Sequence, residues 1–288
     1  MPVLDNLANA LVLASTYILM AMGLTMIYGV LKILHIAHAA VYTIGAFVGL
    51  TVFRRTGDFW LALVLAMLVT GIAGVIIYRV MYHRMLTAPR TVPLIASIGL
   101  FILLQDLLQK DYLIGPYKEA FPAKSGLSRI ETPWFDLTAK QVTILVVMAA
   151  LLVVVYLVMN RTKIGLGLQA SALDRDMAAA VGVDLNQVIA LNFFLGSALA
   201  GAAGVLVGVY YNSVFATMGD VPSYKAFVII VLGGMGSVPG TIVASLVLAS
   251  VETFLVAWMG YILPRDAIAF LVLILMLMFR PHGLLGRE

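Results

Sequence analysis

Few residues in this 288-residue sequence are of a type that does chemistry, and their spacing limits what that chemistry is. His35 and His38 stand three apart, which places two imidazoles on one face of a helix. A metal needs more ligands than two. No acidic residue lies near the pair, and the chain has no cysteine, so no metal site is expected. The pair is expected to hydrogen-bond in an interface or cavity. His83 and His282 fall in charged connections, where solvation is expected. Glu252 closes an apolar run with no other charge from residue 226 to 251. Counting about 1.5 Å per residue from Gly240 puts it roughly 18 Å along its helix. A charge at the bilayer centre costs about 2.5–3.5 kcal/mol on insertion scales. Glu252 is therefore expected to be protonated, paired or turned into the bundle. A proton relay would need titratable partners, and none stands out in the sequence.

Familiar catalytic signatures are missing. There is no HExxH, no GxSxG, no GxGD and no GxxxxGK[ST]; the dipeptide Gly-Lys never occurs. A nucleotide cannot be held by a phosphate-binding loop of that kind. The chain is read as a non-enzyme that binds no cofactor of its own. If its work is driven by ATP, another chain hydrolyses the ATP.

The elements that carry these residues are built for lipid. Hydrophobic residues make up 62% and charged residues 11%, against about 45–50% and about 25% in soluble domains. The mean hydropathy is +1.05, which excludes a water-soluble enzyme and a disordered chain alike. No Asp, Glu, Lys or Arg occurs in residues 6–31, 33–53, 59–78, 141–160, 185–219 or 226–251, and shorter uncharged runs cover 91–105 and 267–279. A helix crossing about 30 Å of hydrocarbon needs roughly 20 such residues. The runs predict an all-α, polytopic transmembrane helical bundle of eight or nine crossings, forming one domain over residues 1–288. The first run is longer than a signal core and has no basic leader, so it is expected to stay as a span. Gly233–Gly240 holds four glycines and a proline in eight residues, too many to continue a helix cheaply. Such breaks survive at membrane depth only inside protein or beside a cavity, so half-helices are expected there.

The formal charge of +4 and pI of about 9.3 record loop topology rather than nucleic-acid binding. Arg79, Arg84 and Arg90 share one connection, Arg161, Lys163 and Arg175 another, and Arg280 and Arg287 follow the last run. These regions are expected in the cytoplasm, with the N-terminus outside and the C-terminus inside. Arg54 and Arg55 fall on the outer side and count weakly against this. The segment 110–138 is expected outside at headgroup level. Its bases Lys110, Lys118, Lys124 and Arg129 are balanced by Asp111, Glu119, Glu131 and Asp136, and its aromatics are Tyr112, Tyr117, Trp134 and Phe135.

Two GxxxG pairs, Gly45–Gly49 and Gly204–Gly208, predict closely packed helix faces, the second thickened by Ala200 and Gly201. The connection 161–185 is the most informative. Gly165 and Gly167 are expected to break away from the preceding span. Ser171–Ala180 has good helix formers, and Gly182 is a plausible terminator. The short helix is rich in alanine, exposes Asp174, Arg175 and Asp176, and lacks the Trp or Phe of an interfacial anchor. It suits docking into a protein groove.

This connection, with its G…A…D…A…G pattern through Gly165, Asp174, Ala179 and Gly182, resembles the cytoplasmic coupling loop of ATP-binding-cassette importer permeases. Four further stretches resemble the branched-chain amino-acid branch of that family: Gly29–Ala39, Gly45-Ala46-Phe47, Gly233–Gly240 and Phe279–Gly286. His35, Ala39 and Gln169 depart from residues common in the family. The resemblance implies a permease subunit that moves branched-chain or related small amino acids across a bacterial-type inner membrane by alternating access. It implies a second permease, identical or homologous, and two cytoplasmic ATPases that bind ATP and Mg. It also implies an external solute-binding protein. Gly165, Gln169, Asp174, Arg175, Asp176, Ala179 and Gly182 would then couple to the ATPases. His35, His38, Ala39, Gly233, Gly234, Gly236, Ser237 and Gly240 are candidates for the translocation path. The alternatives are a permease of the same branch for urea or amides, and an ion-coupled secondary transporter.

Overall fold

The computed structural model describes residues 2–111, 113, 115–121, 130–131, 136–260, 264–280 and 282–285. The expected interfacial residues Tyr112, Lys124, Arg129, Trp134 and Phe135, and also Pro281, Gly286 and Arg287, lie outside them. Eleven α-helices occur among the described residues: α1 Pro2–Leu31, α2 His38–Thr56, α3 Phe59–Ile77, α4 Thr91–Leu108, α5 Ala139–Arg161, α6 Lys163–Leu173, α7 Arg175–Ala180, α8 Leu185–Tyr211, α9 Asp220–Gly233, α10 Val238–Met259 and α11 Arg265–Phe279. Six of them, α1, α3, α4, α5, α8 and α10, are long and apolar enough to cross a membrane. α2, α9 and α11, of 19, 14 and 15 residues, are the shorter or more polar apolar pieces.

Burial is distributed as lipid allows and water would not. α1 and α8 are enclosed almost completely, whereas α4 and α5 expose most of their surface. Ile95, Ile102, Leu103, Val153 and Tyr156 all stand exposed. That much apolar surface needs a hydrocarbon solvent. The chain is a multi-pass membrane protein.

In lipid, helices associate through close packing rather than through a hydrophobic drive. α8 supplies the close-packing surface. A side chain at Gly45 of α2 would meet the backbone of Gly201, and one at Gly204 would meet the Tyr42 carbonyl. On its other flank, Gly201 touches Thr70 of α3, and Gly74 of α3 touches Ser197 and the Phe193 carbonyl. The predicted GxxxG faces of α2 and α8 therefore face each other, and α3 closes the same surface.

The two ends of the bundle differ. At one end, Leu31, Tyr78, Tyr82, Leu168 and Val188 form one apolar cluster. The basic connection 79–90, the α6–α7 pair and the C-terminal residues gather there. At the other end, Arg54 Nη2 donates to Glu119 Oε2 at 2.7 Å and to the Ala120 carbonyl at 3.0 Å. The charge that counted against the orientation is thus paired. Glu119–Ala120 (β1) pairs antiparallel with Ser213–Val214 (β4), and Ile130–Glu131 (β2) with Asp136–Leu137 (β3).

Two local expectations are corrected. Gly165 and Gly167 lie inside α6, and the chain breaks at Thr162, whose extended backbone and side chain cap that helix. The single helix expected over 171–180 is split at Asp174, whose carboxylate accepts from the Asp176 and Met177 amides and starts α7 afresh. A capping side chain satisfies orphan amides that a continuous helix would not leave. Gly182, at φ +90°, ends α7 as predicted, with the Val183 amide donating back to the Ala178 carbonyl.

Gly204→Val should lower stability by about 1–3 kcal/mol, because its Cβ overpacks a backbone carbonyl. Gly99→Ala, with no atom within 4 Å of the new Cβ, should be neutral or gain up to about 1 kcal/mol. Thermal unfolding of the detergent-solubilised protein separates the two. Equal midpoints would refute the close approach.

Candidate translocation site

A cavity of about 1110 Å³ lies between α1, α5, α6 and the α9–α10 connection, at the basic end. Its wall is apolar and soft: Met22, Met26, Met159 and Met235 all contribute. Unbranched thioethers adapt to side chains of different shape. Polar groups in the wall are few and already positioned. Thr25 and Thr241 share a hydrogen bond of 2.7 Å, and Asn192 Nδ2 donates to the Met26 carbonyl at 2.8 Å. A mostly apolar pocket with a few placed polar groups suits a small amphiphilic ligand.

The predicted path residues divide. Gly236 and Ser237 line the cavity, beside Met235 and Pro239. Gly233, Gly234 and Gly240 are not in the wall; Gly233 and Gly240 make a contact so close that side chains there would collide with backbone. His35, His38 and Ala39 are not in the wall. They are packed inside the turn between α1 and α2, at 1%, 0% and 1% exposure. His35 Nδ1 pairs with the Tyr82 hydroxyl at 2.8 Å, and its ring meets His38 edge-on at 5.8 Å. Among the described residues, no group of three metal-binding side chains occurs.

The break at Gly233–Gly240 separates the short α9 from α10. It is a tight hairpin that turns α9 back into α10 at the basic end. Gly234 and Gly236 adopt φ of +99° and +87°, which side chains disfavour, and Gly236 rests on Gly29 of α1. Ser237 caps α10 by accepting from the Gly240 amide at 3.2 Å. The C-terminal residues close the same corner. The Leu284 amide donates to the Leu232 carbonyl at 2.8 Å and the Leu285 amide to Gly233 at 3.1 Å. These bonds satisfy carbonyls that the end of α9 leaves open, and Leu285 adds a side chain to the cavity wall.

The coupling candidates adjoin this cavity. Gln169 stands in its wall, with Nε2 donating to the Met159 carbonyl at 2.7 Å. Gly165 is buried where a side chain would strike the Val158 and Met159 carbonyls, which lets α6 fold back on α5. Asp174, Asp176, Ala179 and Gly182 are exposed, and Arg175 is half-buried. A feature missed in the sequence is the apolar ridge Leu173, Met177 and Val181, which stands 86%, 68% and 79% exposed. These residues recur every four positions, but the chain breaks at Asp174, so Leu173 ends α6 while Met177 stands on α7.

Glu252 is fully buried, and it is paired. Tyr17 donates its hydroxyl proton to Glu252 Oε2 at 2.8 Å, Lys225 Nζ reaches the same oxygen at 3.0 Å, and Lys225 also donates to Tyr17 at 2.9 Å. Asp266 stands 3.5 Å from Lys225. The expectation that Glu252 lacks titratable partners is therefore corrected. Lys225 and Glu252 flank the same uncharged run, so folding that run at its hairpin brings its two ends together.

Such a bundle, with a soft-walled interior cavity beside an exposed helical elbow, defines a polytopic permease-like protein. The chain belongs to the family described as branched-chain amino acid transport system / permease component, whose model matches residues 6–279. It is 34% identical to the high-affinity branched-chain amino acid transport system permease protein BraD of Pseudomonas aeruginosa, over 99% of this chain and 96% of that one. It is 32% identical to the permease protein LivH of Escherichia coli K12 over the same shares. The probable LivH permease of Methanocaldococcus jannaschii is 24% identical over 97% of this chain and 91% of its own. The solved structure of PsaBC from Streptococcus pneumoniae in complex with Fab shares the fold, with a TM-score of 0.51 at 16% identity, covering 95% of this chain and 91% of that one.

Two outcomes are expected. Gly236→Val should abolish uptake while the protein still accumulates in the membrane, because a side chain there is strained and presses on Gly29; normal uptake at normal abundance would place the hairpin outside the moving core. Lys225→Ala should cost about 3–5 kcal/mol, since it strands a buried carboxylate. Lys225→Met with Glu252→Gln should restore most of that, read as unfolding midpoints in detergent.

Proposed function

We propose that this chain is the membrane-spanning permease subunit of an ATP-binding-cassette importer for branched-chain or related small aliphatic amino acids. The observation that carries the reading is one shared element. α6 forms a wall of the cavity through Leu168, Gln169, Ala172 and Leu173, and its C-terminal end runs directly into the exposed elbow at α7. A push on the elbow therefore moves the cavity wall.

In this reading, the basic end faces the cytoplasm, the N-terminus is outside, and the protein sits in a bacterial-type inner membrane. Two ATPase subunits hold the ATP and Mg and grip the ridge Leu173, Met177 and Val181 with the flanking charges Asp174, Arg175 and Asp176. A second permease, identical or homologous, completes the membrane unit, and an external binding protein delivers the cargo. ATP binding closes the ATPases and drives the bundle between outward-open and inward-open states. The names of the relatives favour branched-chain cargo. The cavity agrees: its flexible methionines accommodate aliphatic side chains, and its wall, lined by Lys32 as its one charged residue, suits a zwitterion of no net charge. The N-terminus of α10, opening at Ser237, offers its dipole to the carboxylate.

The experiment is a charge exchange at the elbow. Asp174→Lys with Arg175→Glu should reduce cargo-stimulated ATP hydrolysis in proteoliposomes by about tenfold while the complex stays assembled. Undiminished transport by this variant rules out the docking role.

A further inference from the structure

A second cavity, of about 350 Å³, opens at the end of the bundle away from the elbow, and nothing above assigns it a role. Its polar side is made by Asn6, Asn9 and Thr16 of α1, Thr253 of α10 and Arg265 at the start of α11. Its apolar side is made by Val12, Leu13, Val256 and Ala257. Polar and apolar side chains alternate along the α1 stripe that lines the cavity, Tyr210 and Tyr211 of α8 complete its wall, and Arg265 supplies its one guanidinium. Among the described residues, no carboxylate lies within 4.0 Å of Arg265. Asn9 is oriented by Gln141, whose Nε2 donates to its Oδ1 at 3.0 Å, so its amide group remains to donate elsewhere.

Two of the lining residues neighbour the buried charge cluster in sequence. Thr16 directly precedes Tyr17, and Thr253 directly follows Glu252. In the cluster, Lys225 faces two carboxylates, Glu252 and Asp266. Glu252 is fully buried. Its Oε2 takes both hydrogen bonds, while its Oε1 has no partner. Exposed Arg265 and the buried side chains of Thr16 and Thr253 thus surround one small apolar patch.

We propose that this cavity is a receiving site for a zwitterionic amino acid with a small aliphatic side chain. Arg265 and Asn9 take the α-carboxylate, the hydroxyl oxygens of Thr16 and Thr253 accept from the ammonium, and the side chain lies on Val12, Leu13 and Val256. Arg265 can make a bidentate pair, which a lysine at that place cannot reproduce. The inference rests on the proposed amino-acid cargo and adds where the cargo is first held.

The test uses the complete complex in lipid nanodiscs, without the external binding protein. Binding of leucine, leucinamide and 4-methylpentanoate is titrated by saturation-transfer NMR. Leucine should bind, and loss of its carboxylate or its ammonium should weaken binding about tenfold or more. Arg265→Gln should weaken leucine by about the same factor and erase its advantage over leucinamide, with Arg265→Lys intermediate. Ala257→Leu, which fills the apolar side from an exposed position, should shift the preference from leucine to alanine. Leucine binding unchanged by Arg265→Gln overturns the site. So does an absence of leucine binding in a complex that still takes up leucine when the binding protein is added; the import reading then survives. If no amino acid is taken up even with the binding protein, both readings fall.

Discussion

The arrangement depends on how closely α8 is approached by α2 and α3. Lipid tails are as apolar as the helices they surround, so burying leucines gains little inside a bilayer. What holds helices together there is atomic contact, and contact improves as backbones come nearer. Gly45, Gly201 and Gly204 bring the α2 and α8 backbones into direct touch, and Gly74 does the same for α3. With α8 held on these faces, α1 is enclosed by α8 and α10, and the outer helices can leave most of their surface to lipid.

On that frame, the polar devices are few and local. The buried Tyr17–Lys225–Glu252 cluster ties α1, α9 and α10 at one level, and Thr25 with Thr241 ties α1 to α10 at another. Each pairs polar groups that would be costly to leave alone in hydrocarbon, although Glu252 Oε1 keeps no partner. The Gly233–Gly240 hairpin lets α9 and α10 pack at their basic end without side chains between them. The C-terminal residues then cap the carbonyls the hairpin leaves open. Cavity, hairpin and elbow meet at one end of the molecule.

Much of this was legible from residue types. The uncharged runs marked the helices, because hydrocarbon thickness sets their length. The GxxxG pairs marked the faces that meet. Gly182 marked the end of α7, because few other residues accept positive φ. Other features were read wrongly for a physical reason. The glycines at 165 and 167 look like helix breakers, yet they serve close packing against α5 and against Val188. His35 and His38, expected to hydrogen-bond in an interface or cavity, are both buried beside the turn, where His35 bonds Tyr82 and packs on Phe193.

The sequence by itself determined that this is a many-span helical membrane protein, where its spans run, and which family it resembles. Those properties are local, written in run length, residue size and charge, and need no knowledge of what lies across the bundle. Tertiary structure decided which wall faces the large cavity, that Lys225 neutralises Glu252, and that α6 belongs both to the cavity and to the elbow. Each of these depends on residues distant in the chain meeting in space, and that meeting is set by the direction of one turn and the closeness of a few helix crossings.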